Sequence, residues 1–149
     1  MKRAASITEL PCAKYVKRDR YDLKYKDFVV YVTRGANESS VNIRKMQNNV
    51  LSKNGLAMNE SEWEALLTLF DKIKDSFDNF EERLWRIGER NLFVSVTESD
   101  FANVYVDIRF KFKTDGKLLY TRRGCRLNKD AFLNLKKYVS DINEDLQNK

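Results

Sequence analysis

The amino-acid sequence predicts an α+β fold in which two repeated units, each an antiparallel sheet followed by a helix, form an intramolecular pseudo-dimer. Three observations support this prediction. Twice along the 149 residues, apolar positions first alternate with polar ones and then recur at steps of three and four. Matching positions follow in the same order in both halves. The hydrophobic content of 42% is enough for a core, and one proline and five glycines argue against long linkers.

The first unit is predicted to occupy residues 24–84. Its strands are expected, in chain order, at 28–33, 41–46 and 50–58. Asn59 is the predicted N-cap of the following helix, because Glu62 stands three residues later, as in a capping box. The apolar face of this helix recurs at helical spacing, at Trp63, Leu66, Leu67, Phe70, Ile73, Phe77 and Phe80.

The second unit is predicted to occupy residues 85–149. Its strands are expected at 92–97, 104–113 and 118–127. Asp115 and Gly116 predict a tight hairpin turn, because an Asp-Gly pair tolerates positive φ. Asn128 is the predicted cap of the last helix. The apolar face of that helix is formed by Phe132, Leu135, Val139, Ile142 and Leu146.

The repeat is visible in pairs of equivalent positions. At separations of 64, 65 and 69 residues these are Val32 with Val96, Ile43 with Ile108, and Gly55 with Gly124. The separation changes only within predicted turns, where insertions cost little. One helix over one small sheet is too little to be stable alone. We therefore expect the two helices to pack together about a pseudo-twofold axis, which would make the chain a monomer.

Charge is distributed unevenly over a chain whose formal net charge is +6. The segment between residues 109 and 126 contains one acid, Asp115, and the cations Arg109, Lys111, Lys113, Lys117, Arg122, Arg123 and Arg126. The first helix is acidic instead. This separation predicts a sheet face that attracts anions. Alternatively, the same cations only solvate an exposed sheet and protect its edges.

Residues 1–23 are predicted to form a basic N-terminal arm. Tyr15 and Tyr21 are interleaved there with Lys14, Lys17, Arg18 and Arg20. This composition fits either a flexible arm that strengthens contact with nucleic acid or a solvated lead-in to the first strand.

The sequence argues against catalysis. It contains no histidine, the commonest general base and metal ligand. It also lacks a phosphate-binding loop and a nucleophile elbow, so no catalytic residue, metal site or cofactor is expected. Cys12 and Cys125 lie far apart, as expected for reduced thiols of an intracellular protein. Neither a signal peptide nor a membrane-spanning stretch is expected.

Several short motifs of the second unit occur in a distinctive order. They are Ile-Gly at 87–88, Val-Ser-Val at 94–96, Val-Tyr-Val-Asp-Ile-Arg at 104–109, Arg-Arg-Gly-Cys-Arg-Leu-Asn at 122–128 and Val-Ser-Asp-Ile at 139–142. In this order the segment 87–146 resembles the transcriptional Positive Cofactor Four family. Members are dimers of a four-stranded sheet plus a helix, and they bind single-stranded DNA along concave sheet surfaces. The resemblance implies a fused dimer, with both protomers in one polypeptide.

The first unit resembles the family more weakly, through residues 43–44 and 55–59. It lacks an aromatic equivalent of Phe112, so the second unit is expected to be better equipped for binding. The resemblance implies base stacking on Phe101 and Phe112, although the parity of Phe112 on its strand also suits core packing. It further implies that Arg109 and Arg123 contact the DNA backbone, and that Arg44 and Lys53 are their counterparts in the first unit. Five further cations would enlarge the surface that contacts the phosphates: Arg34, Lys45, Lys111, Lys113 and Arg122.

The leading functional hypothesis is therefore a single-stranded DNA- or RNA-binding protein of transcription, replication or repair, such as a coactivator. Recognition through phosphates and stacking would depend little on sequence. The alternative is an adaptor for transcription or replication proteins that kept the scaffold but not the DNA binding, with the acidic first helix as its surface. The expected location is the nucleus for a eukaryotic protein or one from a nuclear-replicating virus.

Overall fold

The computed structural model describes residues 19–98 and 103–147, without the side chains of Lys53, Asn54 and Tyr120. Within these ranges the chain forms two four-stranded antiparallel sheets and three helices. The predicted α+β class and the two antiparallel sheets are therefore confirmed.

The first sheet is a meander of β1 (Tyr21–Asp22), β2 (Phe28–Arg34), β3 (Ser39–Gln47) and β4 (Val50–Asn59). Asn48 and Asn49, with φ of 52° and 65°, form the tight β3–β4 turn. The sheet begins at Tyr21, so the predicted segment 1–23 overlaps it by two residues. Leu23, which directly follows β1, is fully buried.

The second sheet is a meander of β5 (Arg83–Ile87), β6 (Leu92–Glu98), β7 (Val104–Thr114) and β8 (Lys117–Leu127). The predicted β7–β8 turn is confirmed, because Asp115 and Gly116 have φ of 49° and 78°. Strand β5 crosses the boundary expected between residues 84 and 85. The strands β4 and β8 lie beside each other, so the two sheets meet along their last strands.

The ladder between the third and fourth strands shifts register at the same place in both sheets. In the first sheet the shift follows the pair Arg44–Gly55, and in the second it follows Arg109–Gly124. Equivalent backbone hydrogen bonds also run from Met46 N to Asp27 O (2.9 Å) and from Lys111 N to Asn91 O (3.1 Å). The two sheets thus share their strand order and their irregularities.

The helices are α1 (Glu60–Thr68), α2 (Phe70–Asn79) and α3 (Lys129–Gln147). The predicted capping box is present, because Glu62 N donates to Asn59 Oδ1 (2.8 Å) and Asn59 N donates to Glu62 Oε1 (2.9 Å). Asn128 caps α3 in the same way, with Ala131 N donating to its Oδ1 (2.9 Å). A matching cap therefore follows the fourth strand of each sheet.

The first helix was expected to be continuous, and this expectation is wrong. The chain breaks at Leu69, whose N–H donates to Leu66 O and Leu67 O. At this break α1 packs mainly on β3 and β4 and also contacts β5, while α2 packs on β6 and β7 of the second sheet. Phe80 was expected on the apolar face, but it adopts a left-handed conformation beyond α2 and is 65% exposed.

Buried residues of both sheets and all three helices form one hydrophobic cluster. The expected helix–helix packing is present, since the ring of Phe132 on α3 lies 5.1 Å from that of Phe70 and 5.7 Å from that of Phe77. Trp63 Nε1 also donates to Asn143 Oδ1 across this contact (2.8 Å). The helices therefore join the two sheets through a shared core.

The last helix also anchors the start of the first sheet. Tyr21 Oη donates to Asp145 Oδ2 (2.7 Å), and Asn134 Nδ2 donates to Leu23 O (2.9 Å). Burial and the bond to Asp145 raise the pKa of Tyr21 above its usual range. These contacts join the two ends of the described chain and make β1 part of the domain.

Candidate nucleic-acid interface

A cleft of about 460 Å³ opens where the start of the first sheet faces β7 and β8 of the second. We call it the basic cleft. It is lined by Tyr25, Lys26, Phe28, Lys45, Tyr105, Arg109, Arg122, Gly124, Cys125 and Arg126. The first four of these residues belong to the first unit and the others to the second, so the cleft is formed by both.

The lining of the basic cleft is strongly cationic. Its charged residues are Lys26, Lys45, Arg109, Arg122 and Arg126. Among the residues that the structure describes, no carboxylate lines it. A concave surface with charges of one sign concentrates the potential and attracts ions of the opposite sign. The cleft is therefore suited to a polyanion.

Aromatic rings lie among these cations. The rings of Tyr25 and Phe28 stack with centroids 6.4 Å apart at an interplanar angle of 20°. Lys26 Nζ lies 5.3 Å from the centre of the Tyr25 ring, and Lys45 Nζ lies 5.5 Å from that of Phe28. Tyr25 and Tyr105 are half-buried, so part of each remains accessible. Phosphate contacts and flat surfaces for unpaired bases are thus combined in one place.

Arg109 is held firmly within its own sheet. Its Nε donates to both carboxylate oxygens of Asp107 (3.2 Å each), and its Nη1 donates to Thr121 O (2.9 Å). Its side-chain stem crosses β8 over Gly124, where a Cβ atom would lie 2.6 Å from Arg109 Cγ. The absence of a side chain at Gly124 therefore permits this conformation of Arg109.

The Gly124→Ala variant is expected to displace Arg109 and to lower the free energy of unfolding by about 1–3 kcal/mol, because the added methyl overpacks the site. Nucleic-acid affinity should fall with it. Thermal melting and oligonucleotide titration measure the two effects. Gly116→Ala is the matched control, because a Cβ atom at Gly116 meets open space although the φ of this residue is positive. This variant should lower the free energy of unfolding by about 1 kcal/mol without changing the affinity. Unchanged stability and affinity in Gly124→Ala would contradict this account.

The first sheet also has an arginine that crosses a glycine of the neighbouring strand, but the residue beside this arginine is an asparagine and not an aspartate. Arg44 crosses Gly55, where a Cβ atom would lie 2.7 Å from Arg44 Cγ. Two residues before Arg44 stands Asn42, in the place that Asp107 has relative to Arg109. Asn42 Nδ2 donates to Thr33 Oγ1 (3.0 Å). Among the described residues no carboxylate lies within ion-pair distance of Arg44, unlike Arg109.

Three of the site residues expected from the sequence come together in the basic cleft, namely Lys45, Arg109 and Arg122. Arg123 lies outside it, with its guanidinium 4.3 Å from the centre of the Phe110 ring. Arg34 is used in the fold, since Nη2 donates to Asp145 O. Arg44 is half-buried on the first sheet and is not among the residues that line this cleft.

Two of the other expected residues, Lys111 and Lys113, lie on β7. Lys111 is buried, with Nζ 5.4 Å from the centre of the Phe93 ring, whereas Lys113 is exposed. Lys53 lies on β4, but its side chain is not among those described, and Phe101 lies outside the described residues.

Phe112 is exposed, although its place in the alternating pattern of β7 also suited packing in the core. It is 48% exposed, because the β7–β8 hairpin extends past the end of the core. Its partner across the ladder, Leu119, is also exposed. The end of this hairpin therefore presents a ring to solvent, as a base-stacking position requires.

The cleft also contains residues that were not predicted to bind, namely Tyr25, Lys26, Phe28, Tyr105 and Arg126. A signal existed, because basic and aromatic residues already interleave around Tyr25 and Lys26. The sequence could not show that the β1–β2 turn and β8 line the same cleft in the folded chain.

In the part of the chain that the structure describes, no helix is long and apolar enough to cross a membrane. Within residues 19–98 and 103–147, no group of three Cys, Asp or Glu side chains could hold a metal ion. No protein-family model matches the sequence, and a comparison with curated proteins finds no significant match.

Proposed function

We propose that this protein binds single-stranded nucleic acid and that the basic cleft is the centre of its interface. The observation that carries the proposal is the combination in one cleft of five cations, accessible tyrosine rings and no described carboxylate. Cations contact phosphates irrespective of sequence, and rings stack on bases that are not already stacked in a duplex. Binding by this chemistry favours unpaired strands and tolerates any sequence.

The proposed path of the strand continues from the cleft along the second sheet. Arg122 and Arg123 are exposed on β8, and Lys113 and Phe112 are exposed on β7. A strand that leaves the cleft along this hairpin would meet cations first and the Phe112 ring at the end. Phe101 lies near the start of β7 in sequence and stays part of the proposal through the family resemblance.

The proposal includes a tandem pseudo-dimer, in which each unit corresponds to one protomer of the Positive Cofactor Four type. It is supported by the equal strand orders, the register shifts at Arg44 and Arg109, and the caps Asn59 and Asn128. Such a chain is a monomer, and its role lies in transcription, replication or repair on melted DNA, or in a corresponding transaction on RNA.

The adaptor alternative relies on the first helix, whose aromatic residues are largely unavailable. Trp63, Phe70 and Phe77 are buried in the shared core. A partner would meet mainly the acidic residues of α1 and α2. The basic cleft combines cations with accessible rings, whereas the helix surface offers mainly carboxylates. This difference favours the nucleic-acid function.

The full-length chain is expected to bind a labelled 20-nucleotide strand at least tenfold more tightly than a duplex of equal length. Fluorescence anisotropy should show the logarithm of the affinity falling linearly with the logarithm of salt, by about 0.7 per phosphate contacted. Single-stranded DNA and RNA of one sequence distinguish the two polymers. Equal affinity for strand and duplex, or no binding at low salt, would refute the proposal.

A further inference from the structure

The two sheets carry one arginine each in the same position, but the charges around these arginines differ. Arg109 forms an ion pair with Asp107, with Nη2 3.1 Å from Oδ1, whereas Arg44 has the neutral Asn42 in the corresponding place. Asp107 is only 3% exposed, so water and salt screen its carboxylate little.

A role of Asp107 in positioning Arg109 would be the simplest explanation of this pair. The first sheet argues against it. Arg44 crosses Gly55 as Arg109 crosses Gly124, with Cγ 2.7 Å and 2.6 Å from the place of a glycine Cβ, and it does so beside an asparagine. Arg44 interacts with the Tyr31 side chain instead. The crossing conformation therefore needs the glycine and a polar partner, and that partner need not be a carboxylate. What Asp107 adds is a negative charge at the edge of a cationic cleft.

We infer that Asp107 attenuates nucleic-acid binding by neutralising Arg109, so that the second sheet holds phosphate more weakly than its cations suggest. The inference rests on the proposed function of the basic cleft. A phosphate that approaches Arg109 must compete with a buried carboxylate that already accepts its N–H groups. This competition makes release of the strand easier. An asparagine, as at position 42 of the first sheet, would remove the competing negative charge.

The Asp107→Asn variant is therefore expected to bind a labelled single strand about fivefold more tightly at 0.1 M salt, because one more phosphate contact changes the salt slope by about 0.7. Asp71→Asn is the matched control. It makes the same change of charge on α2, where the Asp71 side chain is 94% exposed, and should leave affinity unchanged. Adding Arg109→Ala to Asp107→Asn should abolish the gain.

Thermal melting shows whether each variant folds, and Asp107→Ser is the second variant to use if the amide is not accommodated. Unchanged or weaker binding by folded Asp107 variants, with wild-type binding intact, would overturn the inference and leave the proposed function standing. Absence of binding by wild-type protein together with a gain in Asp107→Asn would support the attenuation and refute the function of the native chain. Absence of binding by both would refute both.

Discussion

Reversing the charges of Lys45 and Arg122 together, as Lys45→Glu with Arg122→Glu, is expected to weaken single-strand binding by about a hundredfold at 0.1 M salt. Each lost phosphate contact accounts for about fivefold, and each new carboxylate adds repulsion of the strand. The two residues come from different units, Lys45 from β3 and Arg122 from β8. The pair therefore tests whether both units contribute to one site.

A double variant with the same change of net charge provides the control. Lys72 on α2 and Lys137 on α3 are exposed and do not line the basic cleft. Lys72→Glu with Lys137→Glu should reduce the affinity less than about threefold, through the overall field alone. An equal loss in both double variants would mean that net charge, and not the cleft, governs binding.

The single variants separate the contributions of the two units. If the strand lies in the cleft, Lys45→Glu and Arg122→Glu should each weaken binding by roughly tenfold and flatten the salt dependence. A loss confined to Arg122→Glu would restrict binding to the second unit. That result would contradict a shared site, although single-strand binding itself would remain.

The fold was predictable where local chemistry determines it. The Asp115–Gly116 turn and the box of Asn59 and Glu62 depend on residues close in sequence, and both are present in the structure. The break at Leu69 was not predictable, because the apolar spacing continues through it without proline or glycine. It coincides with the passage from α1, which packs mainly on the first sheet, to α2, which packs on the second.

The site was predictable only in its charges. Period-two alternation placed Asp107, Arg109 and Lys111 on the polar side of β7, and a polar side is normally solvated. In the structure Asp107 and Lys111 are buried there, because neighbouring side chains cover them. The cleft itself depends on the tertiary placement of Tyr25 opposite β7 and β8 of the other unit, which no local pattern encodes.

Truncation of Phe132 to alanine is expected to be the most destabilising single change, lowering the free energy of unfolding by about 3–5 kcal/mol. Phe132 is 1% exposed and packs between Phe70 and Phe77, so its removal leaves a cavity where the helices meet. At this chain length the melting temperature should fall by roughly 10 °C. Phe80→Ala removes the same ring from an exposed position and should change stability by less than about 0.5 kcal/mol.

Because the two sheets share one core, this loss should act on both units at once. The chain contains two tryptophans, Trp63 on α1 and Trp85 on β5, so each unit has its own fluorophore. Single-tryptophan proteins, Trp63→Phe and Trp85→Phe, should unfold in denaturant with coincident transitions when measured by fluorescence and by circular dichroism. Phe132→Ala should shift both reporters by the same amount. Different midpoints for the two reporters would show that the units fold separately, and a cleft formed between separately folding units could not be held in a fixed geometry for a strand.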